Sequence, residues 1–147
     1  MADSSERQIT HVQRLARASA VATYVLVVMG AVVRVSGSGL GCPDWPTCYG
    51  SWIPPLESTA LIEYSHRSLA AVVGVLVLWL VVASWRKRSS EPVQFGLSLA
   101  ALAVLLVQAW LGRAVVLGEL HPNMVTVHLG TAMLLLALLI AVWLGSG

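Results

Sequence analysis

Four long apolar runs decide most of what this chain can become. A bilayer core about 30 Å thick takes roughly 20 apolar residues as a helix. The runs cover about residues 17–35, 62–85, 93–117 and 122–144. Lipid offers backbone N–H and C=O groups no partner, so each run must be a helix or a strand of a closed barrel. These runs are too long and too continuously apolar for barrel strands, which alternate. The expected fold is therefore all-α: an integral membrane four-helix bundle, with residues 1–147 forming one transmembrane domain. Charged residues are only 11% of the chain, against roughly 25% in soluble domains. The net charge of +2 is small, and the basic residues form no nucleic-acid patch. The first run is longer than a signal-peptide core and no small-x-small site follows it, so it reads as a retained span.

Lys and Arg set the orientation. Arg7, Arg14 and Arg17 stand at the front of the first run, and Arg86, Lys87 and Arg88 follow the second. That side is expected to be cytoplasmic, with the N-terminus, in the cell (plasma) membrane. The loop 36–61 and the turn 118–121 then lie outside. Asp44, Glu57 and Glu119 fall on that outer side.

Both cysteines, Cys42 and Cys48, lie in the outer loop. An exofacial compartment permits a disulfide, and the five intervening residues, two of them proline, favour a tight turn. Such a bond could be a staple for a loop without regular structure, or a redox-active pair. Closing so short a loop stabilises little through chain entropy. No Cys or His at finger-like spacing supports a zinc site.

Of the four histidines, His11 and His121 read as polar-segment and turn residues. His66 and His128 sit inside apolar runs, where an ionisable group is costly and points to function. One such histidine alone could equally be hydrogen-bonding glue between helices. The two lie at similar depth, roughly 6–9 Å inside the outer boundary at 1.5 Å per residue, on helices of opposite direction. Facing imidazoles suit a planar metal cofactor, haem above all; a bare metal ion would need further ligands. Glu63 is one turn from His66, on the same helix face. Such a carboxylate could take protons during an oxidation, or simply pair with Arg67 at i+4. Arg34, Arg67 and Arg113 are expected near the outer face. They could hold carboxylates such as haem propionates or snorkel to lipid phosphates. Gly74, Gly112, Gly118 and Gly130 could allow close approach of helices or a flat ligand.

The stretch from Gly30 through Arg34 and Gly37-Ser38-Gly39 to Cys42-Pro43-Asp44-Trp45-Pro46-Thr47-Cys48-Tyr49-Gly50 resembles the first outer loop of heme A synthases. Glu63-Tyr64-Ser65-His66-Arg67 resembles that family's Glu-Tyr-x-His-Arg segment. Leu120-His121-Pro122 with Val127-His128-Leu129-Gly130 resembles its fourth-helix histidine region. The likeness covers nearly all of this chain but half of a usual member, which has eight spans in two four-helix repeats. It implies that His66 and His128 ligate haem iron, that Glu63 assists catalysis, and that Cys42–Cys48 is the loop disulfide. It implies haem B as cofactor, haem O as substrate, and oxidation of a haem O methyl to the formyl of haem A. It further implies a lipid-embedded enzyme linked to haem O synthase and terminal oxidase assembly, with an unspecified electron acceptor. A half-length chain with one pocket would work as a homo-oligomer. Arg113 departs from the family's third-helix motif, where a small residue is expected.

Two other functions remain compatible with the residues. A non-catalytic b-type cytochrome or haem carrier would need both histidines but not Glu63. A quinone-linked disulfide-forming protein would use Cys42 and Cys48, but commonly needs a second cysteine pair and leaves the histidines unexplained.

Overall fold

The computed structural model describes residues 10–145, and within it the chain forms four helices in sequence order. They are α1 (His11–Val35), α2 (Ser58–Trp85), α3 (Pro92–Leu117) and α4 (Pro122–Gly145). The helices have 25, 28, 26 and 24 residues. At 1.5 Å per residue each exceeds a bilayer core of about 30 Å. The chain is a multi-pass membrane protein with an all-α fold. Arg7 lies outside the described residues.

Local chemistry explains the boundaries. Thr10 and Gln13 cap each other reciprocally and start α1 at His11, six residues before the apolar run begins. The helix can open on polar residues because this turn need not enter the hydrocarbon. α2 begins at Ser58, four residues ahead of the expected Ile62, because no helix breaker follows Pro55. Proline opens both α3 and α4, where its missing N–H costs nothing. The turn after α3 is tight. Leu120 N–H donates to Val115 O at 2.9 Å, and Glu119 and Leu120 take left-handed φ values of 50° and 61°.

The helices form a ring in which α1 packs on α2, α2 on α3, α3 on α4 and α4 on α1. α2 and α4 therefore face each other across the bundle axis. The tightly packed core lies toward the end of the bundle that carries Arg86, Lys87 and Arg88. It contains Val12, Leu15, Ala16 and Ala20 of α1, Val73, Val77 and Leu80 of α2, Ala101 of α3, and Leu135, Leu139 and Val142 of α4. Small residues suit it: between helices in lipid, close backbone approach replaces the hydrophobic effect as the source of attraction. Trp79, Trp85 and Trp110 are exposed, as expected of lipid-facing or interface residues, whereas Trp143 packs partly against the core.

That core stops abruptly toward the opposite end. No residue is fully buried over 24–37, 64–72, 102–110 or 122–134. All four helices cross this loosely packed band, and His66 and His128 lie within it.

Candidate functional site

His66 is eight positions into α2 and His128 six into α4, so they sit about 12 Å and 9 Å along their helices. The earlier start of α2 makes His66 deeper than its apolar run suggests. The two rings stand on diagonally opposed helices.

Each ring rests on a glycine of the preceding helix. A Cβ on Gly30 of α1 would lie 3.3 Å from His66 Cε1, and one on Gly112 of α3 would lie 3.4 Å from His128 Cε1. The same contact thus occurs twice, once in each helix pair. Of the glycines singled out from the sequence, Gly112 makes such a contact, whereas Gly74 and Gly130 have nothing within 4 Å of the missing Cβ. Gly118 approaches Ala114 O and Met124 in the turn instead.

Nδ1 of both histidines is buried without a hydrogen-bond partner. Buried polar atoms almost always have one, so these rings are not acting as hydrogen-bonding glue. Among the described residues no group of three or more His, Cys, Asp or Glu side chains could hold a bare metal ion. Two histidines on opposed helices, each with an unpartnered ring nitrogen, have the donor chemistry that would hold a haem, whose macrocycle supplies the remaining nitrogen ligands.

Above His66 the loop folds onto α2. Cys42 and Cys48 form a disulfide, and both are fully buried against Ala60 and Tyr64. Gly41 lies so close to the backbone of Thr59 and Ala60 that a Cβ would collide with it, which explains glycine at that position. Asp44 organises the loop's interior: its carboxylate accepts from Thr47 Oγ1 at 2.5 Å, Tyr49 N–H at 2.6 Å and Gly50 N–H at 2.8 Å. The Thr47 hydroxyl first, and the Gly50 amide next, pull its pKa down to about 2. Tyr64 Oη donates to Trp52 O at 2.5 Å and ties the loop to α2.

Arg67 joins loop and helix. Nη1 donates to Asp44 O at 2.7 Å and Thr47 O at 2.9 Å, and Nη2 donates to Cys42 O at 2.8 Å. Nε and Nη2 donate to Glu63 Oε1 at 3.2 and 2.9 Å. A guanidinium has five N–H donors, and all five are committed here. Glu63 is 5% exposed, and its Oε2 is buried without a partner. The structure therefore gathers Glu63, His66, Arg67, Cys42 and Cys48 at one end of α2.

Arg34 is exposed in the last turn of α1, and Arg113 is exposed on α3. Neither side chain makes a hydrogen bond or ion pair among the described residues. His11 stacks at a tilt near Trp79 at the far end of the bundle, and His121 is exposed in the turn. Nothing in the sequence marks Gly30 as a contact of His66. Gln108 and Thr131 do carry a signal, since a polar pair inside apolar spans is rare.

Comparison with known proteins places this arrangement in a family. Residues 13–61 and 56–147 match the cytochrome oxidase assembly protein family, COX15-CtaA. A heme A synthase of Bacillus pumilus is 36% identical over 134 residues, covering 83% of this chain and 43% of that protein. One from Staphylococcus saprophyticus is 33% identical, covering 79% of this chain and 40% of that protein. The chain thus spans less than half the length of these curated relatives. With nearly all of its described residues matched, the chain belongs to the cytochrome oxidase assembly protein (COX15-CtaA) family, alongside the heme A synthases.

Proposed function

We propose that the chain is a haem-dependent oxidoreductase of the heme A synthase type, forming one four-helix transmembrane domain. The observation that carries this reading is the repeated contact of a histidine on a glycine, His66 on Gly30 and His128 on Gly112, in the band where the packed core ends. A plain structural histidine needs neither the glycine nor the missing core.

On this reading His66 and His128 would hold haem through its iron, either haem B as cofactor or haem O as substrate. Bound haem supplies the redox-active iron. Glu63 lies one turn from His66, and its unpartnered Oε2 would be the atom free to hold a proton beside bound haem O, the oxidation itself requiring water and an external electron acceptor. Arg67 fixes the other oxygen and so the orientation of the carboxylate. With its five donors committed to Glu63 and the loop, Arg67 acts on haem chiefly through Glu63. Exposed Arg34 keeps its guanidinium free for a propionate. The loop, its disulfide and Tyr64 pack on the end of α2 that carries Glu63 and His66.

The lysine and arginine distribution supports an N-terminus in the cytoplasm and a disulfide loop outside the cell membrane. A second copy of the chain in a homo-oligomer would supply a second four-helix unit. Haem O synthase would precede this protein and terminal oxidase assembly would follow it.

The test is porphyrin analysis. Membranes containing the wild-type chain and haem O are incubated aerobically, and the porphyrins are extracted and separated. The proposal expects haem A from the wild type, and retained haem without haem A from Glu63→Gln. Bound haem with no haem A from the wild type would support a non-catalytic b-type cytochrome instead.

A further inference from the structure

Gln108 lies mid-span on α3, in the same loosely packed band as the two histidines. Its Nε2 donates to the backbone carbonyl of His128 at 2.9 Å. Its Oε1 accepts from Thr131 Oγ1 at 2.5 Å. The Thr131 hydroxyl also lies 2.9 Å from Val127 O and 3.1 Å from His128 O. Both functional ends of one amide are thus fixed on the single turn of α4 that carries His128. An amide is costly to place in lipid and tends to be functional there, and this one is hydrogen-bonded at both its nitrogen and its oxygen.

The other helix pair lacks this brace. Gly30 and Gly112 occupy matching places against His66 and His128. Four residues before Gly112 stands Gln108, and four before Gly30 stands Leu26. Leu26 packs against the hydrophobic core and offers no hydrogen bond. One histidine is therefore held from its backbone by the neighbouring helix, and the other is held from the loop side through its own helix.

We propose that Gln108 is a positioning residue for His128, making it the more rigidly oriented of the two imidazoles toward a bound haem. The inference rests on the haem reading above. The carbonyl of His128 is pinned to α3 while Gly112 limits the ring from the same helix. Rotation of α4 about its axis, which would swing the imidazole, would break two hydrogen bonds in a medium with no water to replace them. The pinned carbonyl sets where His128 leaves the helix, and Gly112 beside Cε1 restricts the ring itself, so both bear on how the imidazole meets iron.

The experiment uses the full chain in membranes loaded with haem B. Gln108→Leu places at this position the residue found at the matching place on α1. Gln108→Glu keeps the acceptor for Thr131 and can still donate to the carbonyl when neutral. Haem content, the low-spin electron paramagnetic resonance signal and the midpoint potential are measured beside thermal stability. The expected result for Gln108→Leu is a shifted or broadened low-spin signal and about 10-fold weaker haem retention, the lower end of the usual loss for an outer-sphere partner. Helix content should be unchanged, with partial recovery in Gln108→Glu. Thr131→Val should shift the signal in the same direction by less. Signal and retention equal to wild type in Gln108→Leu would overturn the proposal, as would a loss of thermal stability alone. A wild type that binds haem but keeps it in His66→Ala and His128→Ala would refute the haem reading itself, a different result from an unaltered Gln108→Leu.

Discussion

Arg67 grips a single oxygen of Glu63 from two nitrogens, Nε at 3.2 Å and Nη2 at 2.9 Å, and leaves the other oxygen, Oε2, buried and unpaired. The same guanidinium holds the carbonyls of Cys42, Asp44 and Thr47. The orientation of one membrane-embedded carboxylate is thereby tied to the fold of a loop that precedes it by some twenty residues. Lysine could keep the charge but not this fork.

Arg67→Lys is therefore expected to retain haem while losing turnover by on the order of 10²-fold, the scale of a small misplacement at a reacting group. Arg67→Ala should also destabilise the protein, by on the order of 3 kcal/mol, because it leaves the buried Glu63 charge without a partner. Haem content, haem A yield and thermal unfolding of the two variants distinguish these effects. Wild-type turnover in Arg67→Lys would show that the fork does not position Glu63.

The glycine contacts predict a steric effect that acts through the rings. Gly30→Val and Gly112→Val would each place branched carbon where the space is already 3.3–3.4 Å to an imidazole carbon. Each should cut haem retention by at least 10-fold, the scale on which support of metal ligands acts, with helix content preserved. Gly74→Val, where nothing lies within 4 Å, is the control expected to bind normally. Equal haem content in all three, measured by pyridine haemochrome, would contradict the proposed placement.

Acid should loosen the loop late. Asp44 titrates near 2 rather than at its ordinary 3.8, chiefly because the Thr47 hydroxyl donates to its ionised form. A lowered folded-state value contributes stability that is fully present above the unfolded value and disappears as pH falls through about 2. Proteolytic protection of the loop at pH 5 should exceed that at pH 2 in the wild type. Asp44→Asn should lose this pH difference. An unchanged acid profile in Asp44→Asn would remove Asp44 from the loop's support.

The spans were legible because a lipid-facing helix must be apolar all round, and Leu, Val and Ala runs announce it without any periodicity. Helix starts were less legible: His11 and Ser58 lie outside the apolar runs, so only the Thr10–Gln13 cap and the absence of a breaker after Pro55 revealed them. His66 and His128 stood out because ionisable groups are rare in such runs. Arg67 was different. Its spacing to Glu63 showed one partner, but its three loop carbonyls lie 20 to 25 residues earlier in the chain, and no sequence period encodes them. Gly30 and Gln108 stayed silent for a related reason: a glycine acts through what it leaves out, and an amide acts through the helix it faces.

The central claim is that His66 and His128 together hold haem iron. The most direct measurement is the reduced-minus-oxidised visible spectrum, with quantified haem, of wild type, His66→Ala and His128→Ala in haem-replete membranes. The wild type is expected to show a low-spin haem spectrum that is lost or converted to high-spin in both variants, with His121→Ala unchanged. A wild-type spectrum that survives both replacements would contradict it.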